Sequence, residues 1–476
     1  MKVRKNTSIY YYTFIPILGG IFQILSIQAL TWTFSSDYIG LFYLLLIFTN
    51  FFLLVISFGL DQSLAREFHQ YSNKLKLLIH TLVPGLLVFI IFGFTFFVLD
   101  SDFFASSLFS IQSSKLSALI FFSIFFEFVN RFLGLQMRMY DNALEYSLIQ
   151  LIPKLLFLCL ILFSFFLLDL DTTINILIFL HFLSVFLTFI CACFFNYKTN
   201  KDYFFDYPDL KMLNGLFKFG LPFIFSGIAI WSMNSIDKVF LRSYDMLEEL
   251  AILSVSASIS LAATFIASIF NTIWMPLVYK WNARGVGPNV IEEVLDYAFI
   301  IILSMVLIII SFSWMLPFFF PPLYSDIQYL ILGCVLGPFF YSLSEITGVG
   351  IALERKTNYF IFISFVAILK IIFSSFFLLP IHGAKGAITS VTLSYLAYFI
   401  LRTYISMKVI LGLKIFKIIM SAFLLFFIMT SFLFYGSLLT NISYLFIFII
   451  LIGYLLLKFK KLQKLYKVLN EVELFN

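Results

Sequence analysis

Apolar runs, each close to the length of a membrane-crossing helix, recur along this sequence and restrict what it can fold into. A helix needs about 20 such residues to cross the ~30 Å hydrocarbon core of a bilayer. The chain is 62% hydrophobic and 12% charged, whereas soluble domains average about 25% charged residues. It therefore predicts an all-α integral membrane protein with about 14 transmembrane helices. The predicted spans are 9–33, 39–60, 77–99, 116–135, 148–168, 174–195, 216–241, 251–279, 294–316, 328–353, 359–379, 386–406, 418–436 and 443–457.

Lysine and arginine are unevenly distributed over the connections between these spans. If the spans cross in turn, nearly all of the connecting cations fall on the side of the N-terminus, and only Lys115, Arg242 and Lys385 fall on the other. Cytoplasmic connections carry the excess of positive charge, so both termini are predicted to be cytoplasmic. The apolar run after MKVRKN has no small-residue cleavage site behind it, and we interpret it as the first span and not as a signal peptide. Because every connection is short, no soluble domain is predicted.

Two pairs of similar segments indicate that the chain contains a duplicated half. Residues 35–48 resemble 246–259 at an offset of 211, and residues 136–163 resemble 352–379 at an offset of 216. We therefore predict two pseudo-symmetric six-helix bundles of the same orientation that meet at a central cleft. Two appended helices pack outside them. The predicted divisions are 1–200 and 201–410 for the bundles, 411–457 for the two additional spans, and 458–476 for a basic cytoplasmic tail.

Eight charged side chains fall within the predicted spans and beyond their first turns. A charge at such depth is costly and is by default a functional hypothesis. Cations outnumber acids among the eight, so the interior is predicted to be positive, and two of the lysines occupy matched positions in the two halves. The cations are Arg131, Lys154, Lys238, Lys370 and Arg402, and the acids are Glu127, Asp237 and Glu345.

Some of these charges have a purely structural alternative. Glu127 and Arg131 are four residues apart with the acid first, which favours an ion pair within one helix. Arg402 lies close to the cytoplasmic end of its span, from where its guanidinium could snorkel to the surface. Glu345 could neutralise a lysine or relay protons.

Two adjacent charges, and one charge that follows the second span, need a separate interpretation. Asp237 and Lys238 are neighbours, so their side chains leave the helix about 100° apart, and we do not expect them simply to cancel. Arg66 follows the second span, where it is either a positive-inside anchor or a residue at the inner mouth of the cleft.

Three stretches of this sequence resemble one membrane-protein family. Residues 216–259 contain GLP, DKVFL and ELAILSV, residues 59–68 read GLDQSLAREF, and residues 354–398 contain ERKTNY and LPIHGAKGAITSVTLSYLAY. These stretches resemble bacterial polysaccharide flippases, which handle O-antigen or capsule repeat units. That family belongs to the superfamily of multidrug and lipid II exporters with the MATE-like fold. The resemblance covers most of 7–410, and its Gly-x-x-Gly-Ala segment implies a turn between two helices.

The resemblance implies a substrate of undecaprenyl pyrophosphate carrying a short oligosaccharide, moved outward across the bacterial cytoplasmic membrane. Expected partners are this lipid-linked oligosaccharide and membrane lipids, with a polysaccharide polymerase and a chain-length regulator as candidates. The sequence has no motif for a metal, a cofactor or nucleic acid, so none is expected. The predicted substrate-binding residues are Lys154, Lys238, Lys370, Arg131, Arg402 and Arg66, and the predicted coupling residues are Asp237, Glu127 and Glu345.

Two other functions remain open at this point. A cation-coupled drug exporter of the same fold would need an acidic cavity, which the surplus of cations disfavours. A membrane polysaccharide polymerase or ligase, which is an enzyme, would be expected to carry a large outward loop, and every predicted outward connection is short. A transporter is therefore the preferred interpretation.

Overall fold

Helices are the only regular elements in the part of the chain that the computed structural model describes. The prediction of an all-α fold is thus confirmed. The predicted basic tail, 458–476, lies outside the described residues. The described residues are 2–166, 172–199, 209–260, 274, 278, 289–353, 358–407, 415–439, 443–444, 446–450 and 452–454.

The chain forms two compact units, Met1–Trp231 and Ser232–Asn476, which we call the first and second units. The division falls inside one long helix. The predicted bundle boundaries describe a repeat in the sequence and not compactness, so they stay predictions. The described helices that begin in the first unit are α1 (Lys2–Thr33), α2 (Ser36–Ile56), α3 (Leu60–Glu67), α4 (Lys74–Leu99), α5 (Phe103–Phe109), α6 (Ser114–Met139), α7 (Ala143–Phe166), α8 (Ile174–Thr199) and α9 (Leu210–Ser243).

The second unit takes up the end of α9 and contains further α-helices and three short 3₁₀ helices. Its α-helices are α10 (Leu247–Ile259), α11 (Asn289–Phe312), α12 (Ile327–Thr347), α13 (Val349–Leu353), α14 (Asn358–Met407) and α15 (Ile415–Tyr435). The 3₁₀ helices are Ser313–Phe318, Pro322–Tyr324 and Gly436–Leu438.

Among the described residues, 11 helices are long and apolar enough to cross a membrane. The chain is therefore a multi-pass membrane protein. One of the 11, Tyr359–Ser406, contains two predicted spans. Predicted span 251–279 begins in α10 and continues largely outside the described residues, and residues 445, 451 and 455–457 of predicted span 443–457 lie outside them as well. The count of 14 therefore stays a prediction.

Polar side chains set where several spans begin. Ser35, Asn73 and Ser113 each accept a hydrogen bond from a backbone N–H in the first turn of α2, α4 and α6. Such capping satisfies donors that have no partner within the helix. Between these ends, a helix is the element that satisfies its own backbone polar groups in lipid. Apolar length and capping together explain why the spans match the sequence pattern.

The core of each unit is built from helix pairs. In the first unit α1 packs along α7, and α8 packs against α6 and α7. In the second unit α12 contacts α10, α11, α14 and α15, and its residues are largely buried. The central position of α12 makes it the framework of the second unit, while the first unit surrounds a polar interior.

The two halves of α14 meet at the predicted Gly-x-x-Gly-Ala turn. Gly383 has non-helical torsion angles there, with φ of 51° and ψ of −130°. The next residue, Ala384, donates its backbone N–H to Glu249 Oε2 at 2.9 Å. Because Gly383 lacks a side chain, it tolerates the positive φ and leaves room for the Glu249 carboxylate beside it. The turn predicted from the family resemblance is therefore present.

A second glycine lets α3 approach α9 within the first unit. Gly59 has a φ of 67°, and a Cβ atom placed on it would overlap the carbonyl oxygen of Gly220. Nearby, Ser63 Oγ donates to the Leu216 carbonyl oxygen at 2.7 Å. Both contacts hold α3, which carries part of the polar interior, against the start of α9.

We expect Gly59→Ala to destabilise the protein. The left-handed backbone costs about 1–2 kcal/mol for a residue with a Cβ atom, and the overlap with Gly220 adds to that cost. The matched control is Gly20→Ala in α1, where an added Cβ meets nothing within 4 Å. Thermal unfolding of the detergent-solubilised protein should show a lower midpoint for Gly59→Ala and an unchanged or slightly higher one for Gly20→Ala. Equal midpoints for the two variants would contradict this account of the contact.

Candidate functional site

A polar cavity of about 750 Å³ lies inside the first unit. Residues of α1, α2, α3, α6, α7 and α8 line it. On α6 the lining runs from Glu127 to Met139, which corresponds to roughly 18 Å at 1.5 Å per residue. The polar side chains in its wall are Gln23, Ser26, Tyr43, Asp61, Gln62, Glu127, Asn130, Arg131, Arg138, Tyr146, Gln150, Lys154, His181, Ser184 and Thr188.

One ion pair in this wall joins α3 to α6. Arg131 Nη2 lies 2.6 Å from Asp61 Oδ2, and Gln62 Nε2 donates to the same oxygen at 3.2 Å. The Asp61 side chain is 7% exposed, whereas that of Arg131 is 39% exposed. The structural alternative of a Glu127–Arg131 pair within one helix is therefore not the contact observed, because a buried carboxylate from another helix binds the guanidinium. Asp61 holds one edge of Arg131 and leaves the rest accessible.

The carboxylate of Glu127 has a different neighbour across the cavity wall. Glu127 Oε1 lies 3.2 Å from His181 Nε2 of α8. The distance suits an ion pair, but the two atoms are misaligned for a hydrogen bond. The His181 ring packs edge-on against Phe42 and Phe157, at centroid distances of 5.4 and 5.8 Å. His181 was not predicted to be a site residue, because its position relative to Glu127 depends on helix packing.

Two cations of the cavity have no carboxylate partner among the described residues. Lys154 lines the wall beside Gly19, where an added Cβ would lie 3.7 Å from its Nζ. Arg138 also lines the wall, with its guanidinium carbon 5.9 Å from the centre of the Tyr146 ring. The cavity wall carries three cations, Arg131, Arg138 and Lys154, and two carboxylates, Asp61 and Glu127, so the cavity is net positive. Lysine and arginine side chains form charge-assisted hydrogen bonds with carboxylates and phosphates.

Arg66 does not line this cavity. Its guanidinium carbon lies 4.1 Å from the centre of the Phe219 ring on α9, and its Nε lies 3.4 Å from Glu67 Oε1. The side chain is 53% exposed. These contacts pack α3 against α9, and a binding role for Arg66 in this cavity has no support from its position.

Asp237 and Lys238 in the second unit form a buried pair, contrary to the sequence interpretation. Lys238 Nζ is 3.4 Å from both carboxylate oxygens of Asp237 and donates to the Asn234 carbonyl oxygen at 2.7 Å. The two side chains leave the helix in different directions, as expected, but the lysine side chain is long enough to bend back toward the Asp237 carboxylate. Tyr395 on α14 donates its hydroxyl to Asn234 Oδ1 at 2.7 Å. A polar cluster of α9 and α14 thus surrounds Asp237, which is 1% exposed.

Arg402 is buried and paired, so its side chain does not snorkel, which was the structural alternative to a binding role. Its two terminal nitrogens lie 2.5 and 3.0 Å from the two carboxylate oxygens of Glu345, and Arg402 is 4% exposed. Phe360 and Tyr398 cover the guanidinium, at 4.8 and 5.8 Å from its carbon to the ring centres. Of the two roles considered for Glu345, the contacts favour neutralisation of a cation, and that cation is an arginine.

Lys370 lies half-buried on the first half of α14. No ion pair or side-chain hydrogen bond of its ammonium is present among the described residues. Of the predicted site residues, Glu127, Arg131 and Lys154 meet in the cavity of the first unit. Lys238 pairs with Asp237 and Arg402 with Glu345 in two separate clusters of the second unit, so the predicted roles of all these residues stay proposals.

Comparisons with known proteins agree with the fold. A family model described as "Polysaccharide biosynthesis protein" matches residues 5–281. A solved structure of the lipid II flippase MurJ, in an inward closed conformation, superposes with a TM-score of 0.72 at 15% identity, covering 96% of this chain and 99% of that one. A comparison with curated proteins finds no match.

Structures of MATE transporters are also similar. An inward-facing multidrug resistance MATE family transporter of the MOP superfamily has a TM-score of 0.56 at 15% identity, covering 86% of this chain and 95% of that one. A MATE structure in the straight conformation has a TM-score of 0.54 at 17% identity, covering 86% and 94%. At these identities the likeness concerns the fold, whereas the family model spans more than half of the chain. The protein belongs to the polysaccharide biosynthesis protein family and has the fold of the MurJ and MATE transporters.

Proposed function

We propose that this protein is a flippase that moves undecaprenyl-pyrophosphate-linked oligosaccharide repeat units from the inner to the outer leaflet of the bacterial cytoplasmic membrane. The observation that carries the proposal is the positive cavity of the first unit. Lys154 and Arg138 have no carboxylate partner among the described residues, and Asp61 of the same wall is paired with Arg131. Family membership and the transporter fold support the same function.

The chemistry of the substrate explains why such a cavity is needed. A single charge in the hydrocarbon core costs several kcal/mol, so a pyrophosphate does not cross a bilayer unaided. Lysine and arginine in a hydrated cavity lower that barrier through charge-assisted hydrogen bonds. The prenyl chain can stay in lipid while the headgroup crosses by alternating access. An inside-negative potential favours outward movement of negative charge by about 2.3 kcal/mol per charge per 100 mV.

The residues of the second unit complete the proposed assignment. Lys238, Lys370 and Arg402 are proposed to contribute positive charge to the pathway, and Asp237 and Glu345 are proposed, with Glu127, as sites for a coupling ion. The supporting observation is burial of charge. Asp237 and Arg402 are 1% and 4% exposed, and charges placed so deeply in membrane proteins commonly line transport pathways.

A cation-coupled drug exporter of the same fold is the alternative that the cavity favours less. A cationic substrate needs a free carboxylate, and Asp61 and Glu127 already have cationic or histidine neighbours. Polymerase or ligase activity has no supporting observation in this cavity.

Lipid analysis of a deletion strain tests the proposed function. Without the protein, undecaprenyl-linked repeat units should accumulate on the inner leaflet, and the surface polymer of that pathway should disappear. Restoring the gene on a plasmid should reverse both changes. If the surface polymer is unchanged and sensitivity to cationic drugs rises, the protein is an exporter and not this flippase.

Lys370 is expected to be needed for transport rather than for folding. Lys370→Ala should abolish surface polymer at normal membrane abundance, and Lys370→Arg should retain part of it because the charge persists. Lys417→Ala is the matched control, since Lys417 forms an exposed pair with Asp296 at 2.7 Å, and it should leave the polymer unchanged. Immunoblots of membranes and quantification of the polymer provide the measurement. Full surface polymer with normally abundant Lys370→Ala protein would refute the assignment.

A further inference from the structure

The ion pair of Arg131 with Asp61 in the cavity wall is built differently from the buried pair of the second unit. One nitrogen of Arg131 contacts one oxygen of Asp61, and the Arg131 side chain is 39% exposed. In the other pair both terminal nitrogens of Arg402 contact the carboxylate of Glu345, and the two side chains are 5% and 15% exposed. Bidentate buried pairs are strong, whereas pairs with a hydrated partner are weak. Arg131 can therefore exchange Asp61 for another anion.

The guanidinium of Arg131 is within reach of a ligand in the cavity, and the carboxylate of Asp61 is not. A guanidinium carries five N–H donors, and among the described residues the contact with Asp61 is the one hydrogen bond that Arg131 makes. Arg131 lines the cavity, whereas the Asp61 side chain is 7% exposed. A bound anion and Asp61 would thus compete for the same cation.

Asp61 keeps other stabilising contacts when Arg131 turns toward a ligand. Gln62 Nε2 donates to Asp61 Oδ2 at 3.2 Å, and Asp61 lies in the first turn of α3, where the helix dipole favours a negative charge. Ser63 Oγ donates to the Leu216 carbonyl oxygen at 2.7 Å and holds α3 against α9. The carboxylate is therefore fixed in place, and an exchange of partners needs only the Arg131 side chain to move.

We propose that Asp61 is the counter-ion that limits the affinity of the cavity for the pyrophosphate and so allows its release. The proposal rests on the proposed flippase function. Arg131 donates to the bound pyrophosphate through its accessible nitrogens, and Asp61 neutralises the guanidinium again when the substrate leaves. Without Asp61 the wall would carry three cations and one carboxylate, Glu127. Affinity differences arise mostly from dissociation rates, and product release sets the turnover of many proteins, so tighter binding should slow transport.

Binding and flipping measured on the same variants test this role. Farnesyl diphosphate is the binding probe for the full-length protein in lipid nanodiscs, and flipping of undecaprenyl-pyrophosphate-linked oligosaccharide is measured in proteoliposomes. Asp61→Asn is nearly isosteric and should bind farnesyl diphosphate about tenfold more tightly, because one negative charge has left the wall, and it should flip the lipid more slowly. Asp61→Glu keeps the charge and should restore most of the wild-type behaviour. The matched control, Asp296→Asn, breaks a partly exposed pair with Lys417 and should change neither quantity.

Further variants show whether Asp61 acts through Arg131 and guard against a folding defect. In an Arg131→Gln background, Asp61→Asn should tighten binding by less than about twofold, because the effects of coupled residues are not additive. Asp61→Ser removes the same charge with a smaller side chain and should repeat both changes.

Four results would overturn the release role. They are unchanged or weaker binding by Asp61→Asn, tighter binding with undiminished flipping, an equal gain in the Arg131→Gln background, and loss of both neutral variants from the membrane, which would make the carboxylate a folding requirement. If wild type does not bind farnesyl diphosphate, or if Lys154→Gln leaves that binding unchanged, the proposed function fails instead.

Discussion

The Lys154→Gln variant is expected to reach the membrane in normal amounts and to lose transport of lipid-linked oligosaccharide. Lys154 is a cation of the cavity without a carboxylate partner among the described residues, so its removal leaves no buried acid unpaired and should not unfold the protein. Each hydrogen bond from a charged group to the pyrophosphate contributes about 1.5–3 kcal/mol. Its loss should weaken binding by about ten- to a hundredfold. The measurement is surface polymer in a strain that carries the variant alone.

Two further variants separate charge from position. Lys154→Arg keeps the positive charge and should retain part of the transport. Lys115→Gln changes an exposed lysine at the start of α6, outside the cavity wall, and should transport normally. Normal transport by abundant Lys154→Gln protein would show that this cavity does not bind the substrate in the way proposed.

The Arg402→Met variant is expected to lose most of its folding stability. Removing one partner of a buried ion pair leaves an uncompensated charge and costs about 3–5 kcal/mol. Glu345 would be that charge, since both of its oxygens contact the guanidinium. Glu345→Gln should be destabilising too, whereas the double variant Arg402→Met, Glu345→Leu should recover much of the loss because no charge remains buried.

Thermal and denaturant unfolding in detergent measure this effect. Lys385→Met is the control, since Lys385 forms a partly exposed pair with Asp326 at 3.2 Å, and such pairs contribute no more than about 1 kcal/mol. If the Arg402 side chain instead extended to the membrane surface, as its position near the end of the predicted span allowed, Arg402→Met and Lys385→Met would have similar unfolding midpoints. If the double variant lost as much stability as the two single variants together, Arg402 and Glu345 would not be energetically coupled, which would also contradict the buried pair.

The membrane-spanning fold could be predicted because it depends on local properties of the chain. Apolar length and the Gly-x-x-Gly-Ala segment each act within a few residues, and the structure shows long apolar helices and the turn at Gly383. The family was recognised from three short motifs and is confirmed by the match over residues 5–281. The part of predicted span 251–279 beyond residue 260 lies largely outside the described residues.

The partners of Arg131 and Arg402 could not be predicted because they lie on other helices. The spacing of Arg131 and Glu127 allowed a pair within one helix, but the partner of Arg131 is Asp61, which is 70 residues away in sequence. Asp61 follows directly on an apolar run, so it was counted with the connection and not with the interior. In the GLDQSLAREF segment, Asp61 and Leu64 are three residues apart and share one helical face, so helical periodicity could have indicated that Asp61 is buried.

A flipping assay with purified protein in proteoliposomes tests the central claim most directly. The vesicles contain fluorescent undecaprenyl-pyrophosphate-linked oligosaccharide, and a membrane-impermeant quencher reports the fraction in the outer leaflet. We expect wild-type protein to make the lipid in both leaflets accessible to quencher, whereas the Lys154→Gln protein should leave the inner-leaflet fraction protected, as in protein-free vesicles. Quenching that is equal in wild-type, Lys154→Gln and protein-free vesicles would contradict it, as would full activity of Lys154→Gln.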